Sequence, residues 1–214
     1  AVISSFDNKL YFLDLDKQKI DPVMSDISEI STSGEYILII KANSIVEVYH
    51  HDFSQLVYHL PSYGDSISCC CINQNYFITV LGTNNGSLVI SSFTKGEIVR
   101  VINLKSVTPK LITVTNGWGF IVVYATKLCG FEIKHYIYVF SVNGRLIRKR
   151  KINFPIISWC NWKSKKGFDY MVISDNNGKL FSFEVFYCNI GDGIYRCKSP
   201  ILTLTYFDDV SSII

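Results

Sequence analysis

Apolar residues along this chain fall in short runs separated by turn-forming residues, and the interruptions come too often for helices. Val, Ile, Tyr, Phe and Thr crowd the runs Tyr36–Lys41, Ile45–Tyr49, Tyr76–Leu81, Leu88–Phe93, Phe120–Ala125, Tyr136–Val142, Met171–Ser174 and Leu180–Val185. Branched and aromatic side chains of this kind fit a pleated, half-buried surface, so each run predicts a β-strand. No stretch shows an apolar stripe at helical spacing with capping residues at its ends. Pro22, Pro61, Pro109, Pro155 and Pro200 fall before or between runs, and are expected to punctuate strands and not to interrupt them.

The runs repeat in groups of four. One unit reads Asp65–Ile72, Asn75–Gly82, Thr83–Phe93 and Gly96–Leu104. Its middle turn, Asn84-Asn85-Gly86, has the chemistry of a two-residue hairpin, because Asn and Gly tolerate positive φ. The same order recurs with Asp175-Asn176-Asn177-Gly178 and with Lys41-Ala42-Asn43 at the turn. A further unit has a longer loop there, Thr126–Ile133. Asn85, Gly86, Asn177 and Gly178 are therefore structural turn residues. The middle-turn positions Asn8, Asn43, Gly86, His135 and Gly178 are 35, 43, 49 and 43 residues apart.

A four-stranded repeat of roughly 40 to 45 residues is the period of a β-propeller blade. One such sheet cannot cover either of its faces alone, and radial stacking covers both. The expectation is an all-β, WD40-like β-propeller spanning 1–214, with complete blades near 26–60, 65–104, 110–152 and 156–197. Partial blades near 1–15 and 200–214 make it a partial ring. The chain opens without Met or a charged leader and stops inside the apolar run Val210–Ile214, as expected for a piece of a longer polypeptide.

Departures from the usual blade are plain. Ser92-Phe93 and Glu184-Val185 stand where a WD40 blade ends its third strand in Trp-Asp. The stretch Ser66–Ile102, then Pro109–Tyr124 with its Gly117-Trp118-Gly119-Phe120-Ile121-Val122 segment, then Tyr138–Arg150, resembles the carboxy-terminal propeller of BEACH-domain (Beige- and neurobeachin-like) proteins, in their divergent protist form. The resemblance covers residues 25–214. It implies a non-catalytic scaffold for protein partners in vesicle and membrane traffic, with a BEACH domain upstream in a longer chain. It also implies a cytoplasmic setting, with peripheral attachment to endomembranes as the further option.

Composition fits a packed domain: hydrophobic residues make up 48% and charged residues 18%, too apolar for a disordered tail. Lys and Arg number 21 against 18 Asp and Glu, a net charge of +3 that gives no ground for a nucleic-acid partner. Cys69, Cys70, Cys71, Cys129, Cys160, Cys188 and Cys197 include no Cys-x-x-Cys pair. Strand alternation sends the three adjacent cysteines to opposite faces, so they cannot converge on one metal. They read as small buried hydrophobes in a reducing compartment, with a disulfide framework as the alternative. No phosphate loop, zinc-protease or nucleophile-elbow motif occurs, and no cofactor is expected. His50, His51 and His59 are expected at the rim.

Two groups are candidate contacts. Arg145, Arg148, Lys149, Arg150 and Lys151 place five cations in seven residues on a predicted fourth, outermost strand. Charged edge strands discourage sheet-to-sheet aggregation. The functional alternative is a phosphoinositide- or membrane-binding propeller that uses this basic edge, extended by Lys163, Lys165 and Lys166. Of the tryptophans, Trp118 is expected to pack between blades, and Trp162 or Trp159 to reach the rim and anchor a partner.

Overall fold

The structure, a computed structural model, describes residues 2–4, 8–14, 19–60, 65–163, 167–207 and 212–213. Every regular element among them is a strand. Among the described residues, no helix is long and apolar enough to cross a membrane. The chain opens with β1 (Val2–Ser4), β2 (Leu10–Asp14) and β3 (Lys19–Met24) in one sheet. Four four-stranded antiparallel blades follow. The first holds β4 (Ile27–Ser33), β5 (Tyr36–Lys41), β6 (Val46–His50) and β7 (Leu56–Leu60). The second holds β8 (Ile67–Asn73), β9 (Ile78–Thr83), β10 (Ser87–Ser92) and β11 (Glu97–Asn103). The third holds β12 (Thr108–Val114), β13 (Ile121–Cys129), β14 (Glu132–Phe140) and β15 (Leu146–Ile152). The fourth holds β16 (Ile156–Lys163), β17 (Asp169–Asp175), β18 (Lys179–Glu184) and β19 (Asn189–Arg196). β20 (Tyr206–Phe207) and β21 (Ser212–Ile213) pair at the end. The architecture is a β-propeller.

Burial explains why the middle strands read as unbroken apolar runs. In β13, Ile121, Val123 and Ala125 join a core shared with the second blade, while Val122 and Tyr124 join a core shared with the fourth. The three adjacent cysteines divide likewise: Cys69 and Cys71 face the third blade, and Cys70 faces the first. All three are free thiols. Burial pushes Cys69 up to about 12 and Cys71 up to about 11, and raises Cys70 well above the ordinary value, so they stay protonated at neutral pH.

Pairing is regular in the middle of each blade and irregular at its borders. The second and third strands pair without a register shift in all four blades. Each first strand carries a shift near its start, at Ile27/Glu29, Ile67/Cys69, Pro109/Leu111 and Ile156/Ser158. Each fourth strand carries one as well. Bulges of this kind bend and twist a strand and end its capacity to template further pairing. They also accommodate prolines. Contrary to expectation, Pro22 lies inside β3 and Pro109 inside β12; both strands are sheet edges, and each proline adjoins a register shift. Pro61 lies outside the described residues.

First strands run along the propeller's interior, where each has one edge without a strand partner. Side chains of the neighbouring blade supply acceptors there. Glu29 Oε1, Ser31 Oγ and Ser33 Oγ on β4 accept from the backbone N–H groups of Cys70, Ile72 and Gln74 at 3.3, 3.1 and 3.0 Å. Alternate residues of one strand thus match alternate donors of the next. Burial raises the Glu29 carboxyl pKa, and the Cys70 N–H opposes that shift. Between later blades, Asn73 donates to the Val114 carbonyl, Asn161 donates to Thr113 Oγ1, and Leu204 N–H donates to Ser158 Oγ.

The middle turns depart from the expected two-residue hairpin. Three residues, 84–86 and 176–178, link the strands. Only the glycine takes positive φ, 90° at Gly86 and 74° at Gly178, and each glycine N–H bonds back to Thr83 or Asp175. This is a type I turn followed by a left-handed residue. In the first blade Ser44, and not Asn43, holds that position, with φ 63°. The third blade has no long loop. β13 and β14 continue past the other blades' turns to a two-residue turn at Gly130-Phe131, a hairpin whose Phe131 tip is fully exposed.

A Cβ at Gly86 would lie 2.5 Å from the Val107 carbonyl oxygen, in addition to the φ strain. Gly86→Val is expected to cost about 2 kcal/mol or more, a fall of roughly 4–8 °C in melting temperature. Ser44→Gly, at the equivalent turn, is expected to be neutral or stabilising. Thermal unfolding followed by circular dichroism checks both signs.

Candidate interaction surfaces

Successive antiparallel strands put all first-to-second and third-to-fourth turns at one end of the propeller. At that end the third and fourth blades meet in an aromatic cluster built on a buried carboxylate. Asp169, at the start of β17, accepts from Thr115 Oγ1 at 2.6 Å, Trp118 N–H at 2.8 Å and Gly117 N–H at 3.1 Å. Three donors from one turn of the third blade are thereby fixed by a single side chain of the fourth. A Cβ at Gly117 would come within 2.3 Å of Asp169 Oδ1, and one at Gly119, where φ is +69°, would strike the Tyr76 ring. The Gly-Trp-Gly sequence is what the close approach needs, and it turns the indole outward.

Trp118 is therefore 59% exposed, contrary to the expectation that it packs between blades. Its indole N–H donates to the Gly167 carbonyl at 3.1 Å, and its ring stacks on Phe120 at 6.2 Å. Phe186 packs against both rings and meets Tyr187 edge-on at 5.0 Å. Trp118, Phe168, Phe186 and Tyr187, all substantially exposed, border a cavity of about 240 Å³ whose remaining walls are Phe120, Asp169 and Glu184. Exposed aromatics grouped round a small cavity have the character of an interface anchor. Apart from Trp118, these residues carry no motif. Phe168, Phe186 and Tyr187 lie in loops, and only the pairing of β16–β19 brings them to Trp118.

Trp162, near the end of β16, is 40% exposed and lies 5.9 Å from Tyr170. Trp159 packs against the core between the third and fourth blades. Trp162 is not part of the cavity's wall. His50 lies against Tyr36, His51 is exposed in a turn, and His59 Nδ1 is 3.5 Å from Glu47. Burial alone would raise the Glu47 carboxyl. Hydrogen bonds from Lys41 and Tyr49, with the Lys41 charge, hold it below its ordinary value. Among the described residues, no three His, Cys, Asp or Glu side chains stand close enough to hold a metal.

Four of the five cations of 145–151 lie on the outer edge strand β15, with Arg145 just before it, but they do not form one surface. Arg148 and Arg150 stand opposite Val139 and Ile137, toward the fourth blade; Lys149 and Lys151 stand opposite Tyr138 and Tyr136, toward the second. Arg150 donates to the Cys188 carbonyl at 3.0 Å and to Asn189 Oδ1 at 3.1 Å. Arg148 donates to the Ile147 carbonyl at 3.0 Å. Lys149 Nζ lies over the rings of Tyr136 and Tyr138, at 4.8 and 5.0 Å. Arg145 is exposed just before β15. The side chain of Lys163, and Lys165 and Lys166 altogether, lie outside the described residues. At the turns, Asn177 and Lys179 N–H groups both donate to Asp175 at 2.8 Å, and the Asn85 amide is held by Asp65.

No family model matches the chain, and no curated protein does. The fold is similar to the crystal structure of the computationally designed Ika8 protein, at 13% identity and a TM-score of 0.65. The match covers 97% of this chain and 62% of that one, so the chain spans less than two thirds of the designed protein's length. At this identity the likeness shows an architecture only, and 1227 solved chains share in it.

Replacing Asp169 by Ala would leave the Thr115 hydroxyl and two backbone N–H groups without their acceptor. A loss of about 2–4 kcal/mol is expected, together with a red shift of Trp fluorescence as residues 115–119 loosen. Urea unfolding with fluorescence detection checks both.

Proposed function

We propose that this chain is a non-catalytic protein-interaction scaffold, the WD40-like propeller of a BEACH-type protein acting in vesicle and membrane traffic. The observation that carries the interaction role is the rigidly mounted aromatic cluster of Trp118, Phe168, Phe186 and Tyr187. A preformed apolar surface on packed blades loses little ordering entropy when a partner docks. The BEACH assignment rests on the resemblance of residues 25–214, above all on the Gly117–Val122 segment. In this reading the protein is cytoplasmic and carries a BEACH domain upstream in the full-length polypeptide.

Proximity labelling with the full-length protein in its own cells tests this role. The expected neighbours are membrane-traffic components, and Trp118→Ala with Tyr187→Ala removes a defined subset of them. A neighbour set unchanged by the double substitution overturns the assignment of the aromatic cluster.

The second reading is a membrane-binding propeller. It is favoured by five cations on and just before an outer edge strand, none of which forms an ion pair among the described residues. The engagement of Arg148 and Arg150 with backbone carbonyls weighs against it. In liposome flotation, the scaffold reading expects binding to anionic vesicles to be the same for the protein and for Arg148→Glu with Arg150→Glu. Loss of flotation in that variant favours the membrane reading.

A further inference from the structure

We infer that the cleft between the outer strands of the second and third blades is a binding site for a compact, multiply phosphorylated ligand. The inference is independent of the scaffold reading and uses a different surface. The cleft has a volume of about 610 Å³, with β11 on one side and β14 and β15 on the other. Five cations line it: Arg100 and Lys105 from the second blade, and Lys127, Arg145 and Lys149 from the third. No Asp or Glu is among its lining residues.

Strand alternation brings these charges face to face. Arg100 stands opposite Ile90, whose side chain belongs to the core between these two blades. Lys149 stands opposite Tyr138, of the same core, and Lys127 is two residues beyond Ala125 on the same face of β13. None of the five makes an ion pair among the described residues. Arg100 instead donates to the Asn143 carbonyl across the gap, at 3.1 Å. Lys149 is held over two tyrosine rings, which fixes its ammonium without neutralising it.

A second observation is of a different kind. The Tyr138 hydroxyl is buried and has no hydrogen-bond partner among the described residues, although Tyr138 lines this cleft. Buried polar groups without partners are uncommon in folded proteins. A phosphate oxygen would accept from it, as from the surrounding ammonium and guanidinium groups. Ile102, Leu104, Val107 and Phe140 supply apolar walls, which strengthen the field of the cations inside. Arg100 and Lys105 are separated by roughly 15 Å of extended chain, so one phosphate cannot meet every cation and several spaced phosphates can. A soluble polyphosphate and a polyphosphorylated lipid headgroup share this chemistry.

The experiment titrates the full chain with inositol hexakisphosphate by isothermal titration calorimetry. One saturable site is expected. Lys127→Glu with Lys149→Glu should weaken it at least ten-fold. Tyr138→Phe should weaken it about ten-fold or more, as loss of a single hydrogen bond to a charged group does, while leaving the melting temperature unchanged or higher. That single substitution keeps a readout should the double variant lose its fold. Lys95→Glu makes the same kind of charge change at an exposed position outside the cleft, and should leave affinity unchanged. Absence of saturable binding, or an equal loss with Lys95→Glu, overturns the proposal. Vesicles separate the two ligand sources. Flotation with phosphatidylinositol bisphosphate that responds to Lys127 and Lys149 identifies a headgroup, and saturable binding of the soluble probe alone identifies a free polyphosphate. Flotation as strong on phosphatidylserine vesicles of matched charge, and indifferent to both lysines, overturns it.

Discussion

The fold depends on how the open edge of each first strand is closed. A strand at the interior of a propeller presents a row of N–H and C=O groups to its neighbours. In apolar surroundings such groups are costly unless bonded. Between the first and second blades the solution is a ladder of side chains, in which Glu29 and Ser31 each accept one backbone N–H of β8 and Ser33 accepts that of Gln74 just beyond it. The period of two in β4 matches the period of two in β8's outward donors. Polar residues at alternate positions of β4 are thus structural. They orient one blade against the next, and the apolar cores then fill the space between the sheets.

That constraint also explains where regularity is lost. The middle hairpin of each blade is sandwiched between two cores and pairs without interruption, whereas first and fourth strands are shifted. The bulges let border strands follow the curvature of the ring and leave their side chains free to point into gaps between blades. Both surfaces with binding character lie in such gaps. One opens at the turn end, between the third and fourth blades, and is apolar; the other opens at the outer rim, between the second and third, and is cationic.

Much of the architecture was legible in the sequence, because burial on both faces leaves an unmistakable trace. Val122–Tyr124 and Val80–Leu81 are apolar at consecutive positions, and a repeat near forty residues with Asn-Gly at the turns leaves few alternatives to a propeller. The departures from expectation share a cause. Trp118 looked like a core residue because its composition is apolar, yet its fate is decided by Asp169, fifty residues away, which captures the turn's N–H groups. Thr126–Ile133 looked like a loop because Lys, Cys, Gly and Glu interrupt it, but pairing across β13 and β14 continues to Cys129↔Glu132. The basic run looked like one patch because adjacency in sequence hides alternation. Arg100, Lys105 and Lys127, which complete the cationic cleft, are isolated in the sequence and carry no signal by themselves.

Within every sheet, hydrogen-bonded strands are also neighbours along the chain. Loop closure within a blade therefore spans only a few residues, and its entropic cost is small. Contact between successive blades adds separations of about forty residues, still short for an all-β protein. A polypeptide leaving the ribosome can accordingly complete each blade as soon as its fourth strand emerges and dock it on the one before. The slow, aggregation-exposed wait for a distant partner strand, common in sandwich topologies, does not arise between the strands of a blade.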